Sequence, residues 1–597
     1  MRNGVARVPL APVRASSQAH QLCLLNVGDG PVEVLGSGGV PALRITGAHQ
    51  ESGWSVLGAI VQRTMRANGA PARWIGLPGV VVLLTGSIGL ALVLTTRAWG
   101  KDGWRPSRGT WVAVAAVAAM HGAAWSVLTP PFEVPDEWTH FQYADYVADH
   151  GELPNGRDRT ALVAPDQALA MQALGANGIP GHPSFRPPWS GRSSTAIRSA
   201  LADAPRSPVP DGSTSSTGQP PLYFAVAGAV DAIAPGNVLD RIAQVRLVGV
   251  LALAALALGA MALARRLVPG RPEWAVTAGL LAGLVPLVAF MAGGVTPDIP
   301  MLALATWTTS AALGFVESPV WRRGLVLGLL GVALVLVKLT ALALAPGLVL
   351  LVLLAIGIAI SRGWPAGSTG GMLGLAAGFV GPLVVYAVWC AVSDRSMIPG
   401  SLVSIARAET APGTTTSGPM EFLSLTWQLY LPRMPWMDDL VQGFGLRDIW
   451  IDGFVGRYGW LDYGLPGWVG DVLPLFWLGL VVLGIRGLWI LIRRRQRELP
   501  RLRQVKRTVV GVAFVLLLAG VLVTVARADY TAYITGNARF QQARYLMLAV
   551  PAAIALVVVA IRGTPVRARP YVAVTLVGVA ALHTVASILA TVGRYYV

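Results

Sequence analysis

Acids are scarce in this sequence, 30 Asp and Glu against 47 Lys and Arg, and a few sit where chemistry could use them. In Pro130-Pro131-Phe132-Glu133-Val134-Pro135-Asp136-Glu137-Trp138-Thr139-His140-Phe141, a helix beginning after Pro135 sets Asp136 four residues and Glu137 three residues before His140, so that all three can face one spot. Two carboxylates and an imidazole so gathered could supply a general base or hold a divalent cation. Asp136 could equally cap the helix, with solvated neighbours. A second acid, Asp298 in Gly294-Val295-Thr296-Pro297-Asp298, lies in a short turn and is open to the same two readings. Three cations, Arg246, Lys338 and Arg544, could snorkel to lipid head groups or grip a phosphate. Trp427, Trp436, Trp450, Trp460 and Trp468 read as an interfacial aromatic belt, with sugar stacking as the sharper alternative for one or two.

The composition says what kind of element must position these residues. Of 597 residues, 54% are hydrophobic and 13% charged, against roughly 45–50% and 25% in an average soluble domain. The apolar residues fall in blocks of about 20, the length that crosses a hydrocarbon core of about 30 Å. The chain therefore reads as an all-α, polytopic protein of the cell membrane. Spans are expected near 77–96, 109–128, 242–264, 274–292, 299–315, 323–338, 340–360, 371–392, 471–492, 508–527, 544–562 and 570–592.

The net charge of +17 lies between those spans, densest in Arg493-Arg494-Arg495-Gln496-Arg497. That is where Lys and Arg mark cytoplasmic loops, and the motifs of nucleic-acid binders are absent, so nucleic acid is excluded as a partner. The basic connections after 264, 315, 360, 492 and 562 are thus cytoplasmic. Alternation then puts 129–241 and 393–470 outside, and both hold more Asp and Glu than Lys and Arg. Residues 1–76 carry no signal-peptide pattern and read as a disordered basic tail. Residues 77–108 hold an extra span, whose reality is left open, and a cytoplasmic linker: a span at 77–96 leaves the basic tail outside, against the charge rule. The transmembrane domain proper is 109–592. Cys23 and Cys390 alone exclude a disulfide scaffold or a Cys-based metal cluster, and no nucleotide-binding or His-Glu-x-x-His motif occurs.

The first outer segment has parts of its own. Residues 136–150 suit a helix, 178–221 are rich in Pro, Ser, Gly and Thr and read as a mobile loop over a site, and 221–234 read as an interfacial helix.

The segments Pro131 to Phe141, Gln219-Pro220-Pro221-Leu222-Tyr223, Gly456-Arg457-Tyr458-Gly459-Trp460-Leu461-Asp462 and Gln542-Ala543-Arg544-Tyr545-Leu546 resemble the family of membrane proteins classed as domain of unknown function 2142. Their order is also similar to the GT-C superfamily of glycosyltransferases, including the protein O-mannosyltransferases, whose first outer loop has an Asp-Glu pair followed by His-Phe. The resemblance runs over about 109–592 and departs at Ala543, where the family usually has Gly. It implies a GT-C-like bundle of about 11–12 transmembrane helices with outer-face loops and interfacial helices. It implies a transferase that moves a sugar from a polyprenyl-phosphate donor to a glycan, lipid or protein acceptor outside the cytoplasm. By carry-over, Asp136 matches the first-loop acid that serves as base or metal-linked acid, and Asp298 matches a second acidic position. Glu137 and His140 join them as catalytic candidates, Arg246, Lys338 and Arg544 as donor-phosphate ligands, and Gln219, Tyr223, Trp460, Asp462, Gln542 and Tyr545 as substrate contacts. No cofactor is required by this reading; a divalent metal ion, if used, would fall to Asp136, Glu137 and His140.

Two other classes stay in view. A transporter or flippase of a lipid-linked sugar would use the same cations without chemistry, but should show broken helices and repeated halves. A non-catalytic assembly subunit would tolerate neutralisation of both Asp136 and Asp298.

Overall fold

The computed structural model describes residues 32–35, 41–45, 53–66, 68–69, 72–100, 103–154, 163–176, 178–179, 182, 199–201, 206, 216, 218–393, 418–441, 445–498, 501–535, 539 and 541–596. Residues 1–59 form one unit, in which β1 (Val32–Leu35) pairs antiparallel with β2 (Pro41–Ile45). Residues 60–597 form the other. The expected tail, 1–76, lies mostly outside the described residues, as does most of the expected mobile loop, 178–221.

In chain order the helices are α1 (Gly53–Arg66), α2 (Ala72–Gly100), α3 (Arg108–Leu128), α4 (Glu137–His150), α5 (Pro165–Leu174), α6 (Leu222–Ile233), α7 (Val238–Leu267), α8 (Pro272–Leu284), α9 (Pro286–Ala292), α10 (Asp298–Glu317), α11 (Trp321–Val337), α12 (Ala345–Ser361), α13 (Ser368–Val392), α14 (Pro419–Tyr430), α15 (Gly467–Glu498), α16 (Arg501–Thr535), α17 (Val550–Gly563) and α18 (Arg569–Tyr595). Among the described residues ten helices are long and apolar enough to cross a membrane, eleven if α8 and α9 count as one bent span. The count stops short of twelve because α11, 17 residues long, sits at the lower limit of a spanning helix. The apolar run at 77–96 does form such a helix, Arg73–Gly100. The expected interfacial helix is α6, 12 residues long and too short to span.

Local chemistry sets the boundaries. Ser107 and Thr110 form a reciprocal cap at the start of α3, and Asn237 and Asp240 do the same for α7. Arg265 and Arg266 close α7, where the helix dipole favours cations. Pro286 lacks the N–H that would continue α8, and the pair α8–α9 bends by 59°. In hydrocarbon each freed carbonyl would cost several kcal/mol. The protein fills them: His121 Nδ1 donates to the Gly283 carbonyl at 2.9 Å and the Thr584 hydroxyl to Leu284 at 3.2 Å.

Four chain segments bring polar groups to one end of this bundle. They are the loop between α3 and α4, the turn between α9 and α10, the break between α11 and α12, and the 3-10 turn Ala543–Ala549 before α17. The α4 helix is held there by a buried ion cluster. Arg241 Nη1 donates to Asp145 at 2.5 Å and to Asp231 at 2.9 Å, and its Nη2 donates to Asp166 at 3.1 Å. That one guanidinium ties α4, α5, α6 and α7 together.

Candidate active site

The loop entering α4 is shaped by what it cannot be. Pro130 and Pro131 keep it out of a helix, and Phe132 and Asp136 adopt left-handed backbone, φ 71° and 63°. Left-handed backbone at a non-glycine residue costs on the order of 1–3 kcal/mol and persists only where surroundings fix it. Glu137 does the fixing. Its carboxylate accepts from Arg246 Nε at 2.7 Å, Arg246 Nη2 at 2.7 Å, the Phe132 N–H at 2.8 Å and the Val295 N–H at 2.9 Å. The rest of the Arg246 fork donates to the carbonyls of Ser126 (3.0 Å), Thr129 (2.7 Å) and Pro130 (2.9 Å). Both side chains are buried. Next to this staple, Gly294 lets the α9–α10 turn touch the loop, since a Cβ there would lie 2.6 Å from the Val134 side chain.

So held, Asp136 stands at the N-terminus of α4 without capping it. Its Oδ2 instead accepts from Arg544 Nη2 at 2.6 Å, and 37% of its side chain stays open. Asp298, opening α10, pairs with Lys338, whose extended backbone breaks α11 from the 3-10 turn Leu339–Leu344. His140, one turn into α4, shares a contact at 3.2 Å between its Nδ1 and the Val295 carbonyl. A carbonyl can only accept, so Nδ1 carries the proton and Nε2 keeps a lone pair. Around these groups lies a cavity of about 330 Å³. Its polar residues are Asp136, Thr139, His140, Ser216, Gln219, Asp298, Lys338, Thr340, Thr524, Arg544 and Tyr545. Its apolar wall is Met301, Ala343 and Leu548 with Val521, Val525 and Ala528 of α16.

Burial works to raise the Asp136 carboxyl, but the charges of Arg544, His140 and Lys338 outweigh it and hold the group below the usual carboxylate range. Burial lowers His140 to about 4, with Lys338 and Arg544 adding to that and Asp136 and Asp298 opposing it. At neutral pH the cavity thus presents an ionised Asp136 and a neutral imidazole. Glu133, three residues before Asp136, goes the other way. Burial and the charge of Asp462 push it up to about 8, against a hydrogen bond from the Tyr595 hydroxyl at 3.1 Å and the charge of Arg594.

Of the residues singled out in the sequence, Asp136, His140, Asp298, Lys338, Arg544, Gln219 and Tyr545 line the cavity together. The others lie elsewhere. Glu137 and Arg246 spend their hydrogen bonds on each other and on backbone, so Arg246 has little left for a phosphate. Tyr223 is buried with its ring 5.2 Å from Phe224. Asp462 takes the Trp460 N–H at 2.9 Å and Arg594 Nη2 at 2.9 Å, building the turn that carries Trp460. The Gln542 carbonyl accepts the Tyr545 N–H at 3.2 Å, opening the 3-10 turn. Ala543, the position at which the sequence departs from the resemblance, packs against Gly453 and is not among the cavity-lining residues. Of the three residues expected to share a metal if one is used, Glu137 has both oxygens engaged by Arg246 and by the Phe132 and Val295 N–H groups. Among the described residues no group of three or more His, Cys, Asp or Glu converges as such a site would require. Sequence reasoning missed Thr139, Ser216, Thr340 and the α16 wall; the last carries no signal, since a cavity-lining apolar face reads like a lipid-facing one.

Comparison with known proteins adds the following. The profile of a family described as "Predicted membrane protein (DUF2142)" matches residues 120–552. No curated protein matches the chain. Two crystal structures of the Archaeoglobus fulgidus oligosaccharyltransferase are similar to it. The apo form has a TM-score of 0.41 and 10% identity, with 84% of this chain and 57% of that one covered. The form tethered through a disulfide bond to an acceptor peptide containing the NVT sequon has a TM-score of 0.40 and 10% identity, with 82% and 56% covered. The chain thus spans a little over half the length of either.

Proposed function

This chain belongs to the DUF2142 family of predicted membrane proteins, and we propose that it works as a membrane glycosyltransferase, moving a sugar from a polyprenyl-phosphate donor to an acceptor hydroxyl on the extracytoplasmic face of the cell membrane. The observation that carries this reading is the cavity itself. Two acids, two cations and a neutral imidazole meet on one wall, and an apolar wall from a spanning helix faces them. A lipid-linked phosphate sugar has the same division between charged head and apolar tail.

In this reaction the acceptor oxygen attacks the anomeric carbon, the bond from that carbon to the phosphate oxygen breaks, and its electron pair leaves with the polyprenyl phosphate. The hydroxyl proton passes to the Asp136 carboxylate, a step worth about 10²–10⁴-fold when the base is positioned. The leaving phosphate needs no acid, but its charge needs preorganised cations, which Lys338 and Arg544 supply. His140 Nε2 can accept from a sugar or acceptor hydroxyl and so orient it. Gln219 and Tyr545 offer further polar contacts. Among the described residues the bend between α8 and α9 is a feature a transporter would share, but the Gly283 and Leu284 carbonyls it opens are taken by His121 and Thr584 rather than offered to a ligand.

The test is transfer from radiolabelled polyprenyl-phosphate sugars in membranes carrying Asp136→Asn. Transfer should fall by about 10²-fold or more at normal protein level. Undiminished transfer would remove Asp136 as base.

A further inference from the structure

The contact between Asp136 and Arg544 sets a problem for the donor reading on which this inference rests. A base and a phosphate ligand that neutralise each other are each unavailable for their own task. The geometry shows how the pair can come apart. Arg544 Nη2 spends its bonds on Asp136 Oδ2 at 2.6 Å and the Tyr545 hydroxyl at 3.1 Å, and Nη1 reaches only the Pro135 carbonyl, at 3.4 Å. Its Nε is buried with no hydrogen-bond partner among the described residues. The fork beside the cavity is therefore underused, and a phosphate offers oxygens that can take two of its donors at once. On the other side, Asp136 holds strained left-handed backbone and makes no capping bond that would keep its carboxylate in place. Lys338 differs: an ammonium has three rotatable donors and can serve Asp298 and a phosphate together.

We propose that Asp136 and Arg544 form a latch opened by the anionic head of the substrate: a polyprenyl monophosphate group takes the Arg544 guanidinium, and the carboxylate so released turns to the acceptor hydroxyl. Until the donor is seated, a hydroxyl or water entering the cavity meets a carboxylate whose charge Arg544 already balances. Linkage makes the effect reciprocal, because whatever the phosphate takes from the pair, the pair takes from phosphate affinity.

The latch predicts an unusual sign. Removing the charge of the residue proposed as base should tighten phosphate binding. Farnesyl phosphate is the probe, with farnesol as its uncharged counterpart, and binding to the purified full-length chain in nanodiscs is the readout. Asp136→Asn should bind farnesyl phosphate about tenfold more tightly than the wild type, within the usual 5–150-fold range of such couplings, with farnesol unchanged. Asp136→Ser should behave alike and stands in if the Asn variant is not monodisperse. In an Arg544→Gln background the same substitution should give no gain. Equal or weaker binding of farnesyl phosphate by both Asp136 variants would overturn the latch, as would a gain that survives Arg544→Gln. Sugar transfer measured in parallel separates the two readings. Transfer by the wild type with no tightening in the variants keeps the enzyme and removes the latch; tightening without any transfer keeps the latch and removes the enzyme.

Discussion

Glu133 and Asp136 share one loop and hold protons oppositely, and the cause is their neighbours. Asp136 touches Arg544 on the cavity wall it shares with Lys338, whereas Glu133 is shut in beside Asp462 and the Tyr595 hydroxyl. A carboxyl raised from an ordinary value near 4.3 to about 8 binds its proton more tightly folded than unfolded. Its contribution is fully present below about pH 4.3 and is lost as pH rises toward 8, at up to about 1.4 kcal/mol per pH unit. Glu133→Gln has no such proton to lose. Its apparent melting temperature should fall less than that of the wild type between about pH 5 and 8 and should match or exceed it at the alkaline end. Parallel melting curves across that range would show that Glu133 is not protonated in the folded chain. The sequence made Asp136, Asp298, Lys338 and Arg544 legible because acids are few and outer cations have no topological excuse. It hid Glu133, because its partner Tyr595 lies 462 residues away.

Glu137 and Arg246, 109 residues apart, join the two acid-bearing turns of the site to α7. Sequence spacing put Glu137 beside Asp136 and His140 on a helix and so made it a candidate for chemistry. Only the placement of α7 against the loop shows that it serves to hold both acid-bearing turns. Removing one partner of a buried pair leaves an uncompensated charge and costs about 3–5 kcal/mol, while replacing both by apolar groups of similar size is often close to neutral. Glu137→Ala or Arg246→Ala should each sharply lower the yield of monodisperse protein. The double change Glu137→Leu with Arg246→Met should recover part of that yield, less than fully, since the Phe132 and Val295 N–H groups lose their acceptor. A double variant worse than both single ones would mean that the carboxylate matters for those backbone groups and not for the arginine. Helices were legible from apolar blocks throughout this region. The bend at Pro286 and the break at Lys338, which let α10 and α12 start at the site, depend on which distant side chains satisfy the opened backbone.

Across the whole chain the functional reading stands on which side the cavity opens. Five basic connections argue for one orientation, with Arg265 and Arg266 ending α7 as the clearest case. In the larger unit Asn68 Nδ2 donates to the Val127 carbonyl at 2.9 Å, at the end of α3 that leads into the loop of Asp136. With α2 as a span, that fixes the approach to α2 on the cavity's side, so Arg63 and Arg73 lie where the charge rule would not put them. The internal connections must then outweigh these two. Cysteine labelling settles the matter. With Cys23 replaced by Ser and Cys390 buried, single cysteines at exposed positions report their own side. Glu152→Cys and Trp436→Cys, on the two segments expected outside, should react with a membrane-impermeant maleimide in intact cells. Arg271→Cys and Arg362→Cys should react only after permeabilisation. The reverse pattern would turn the cavity toward the cytoplasm, and transfer outside the cytoplasm would lose its site. Labelling of Glu152→Cys from outside together with Arg271→Cys would break the alternation between them, so that α7 could not be a span.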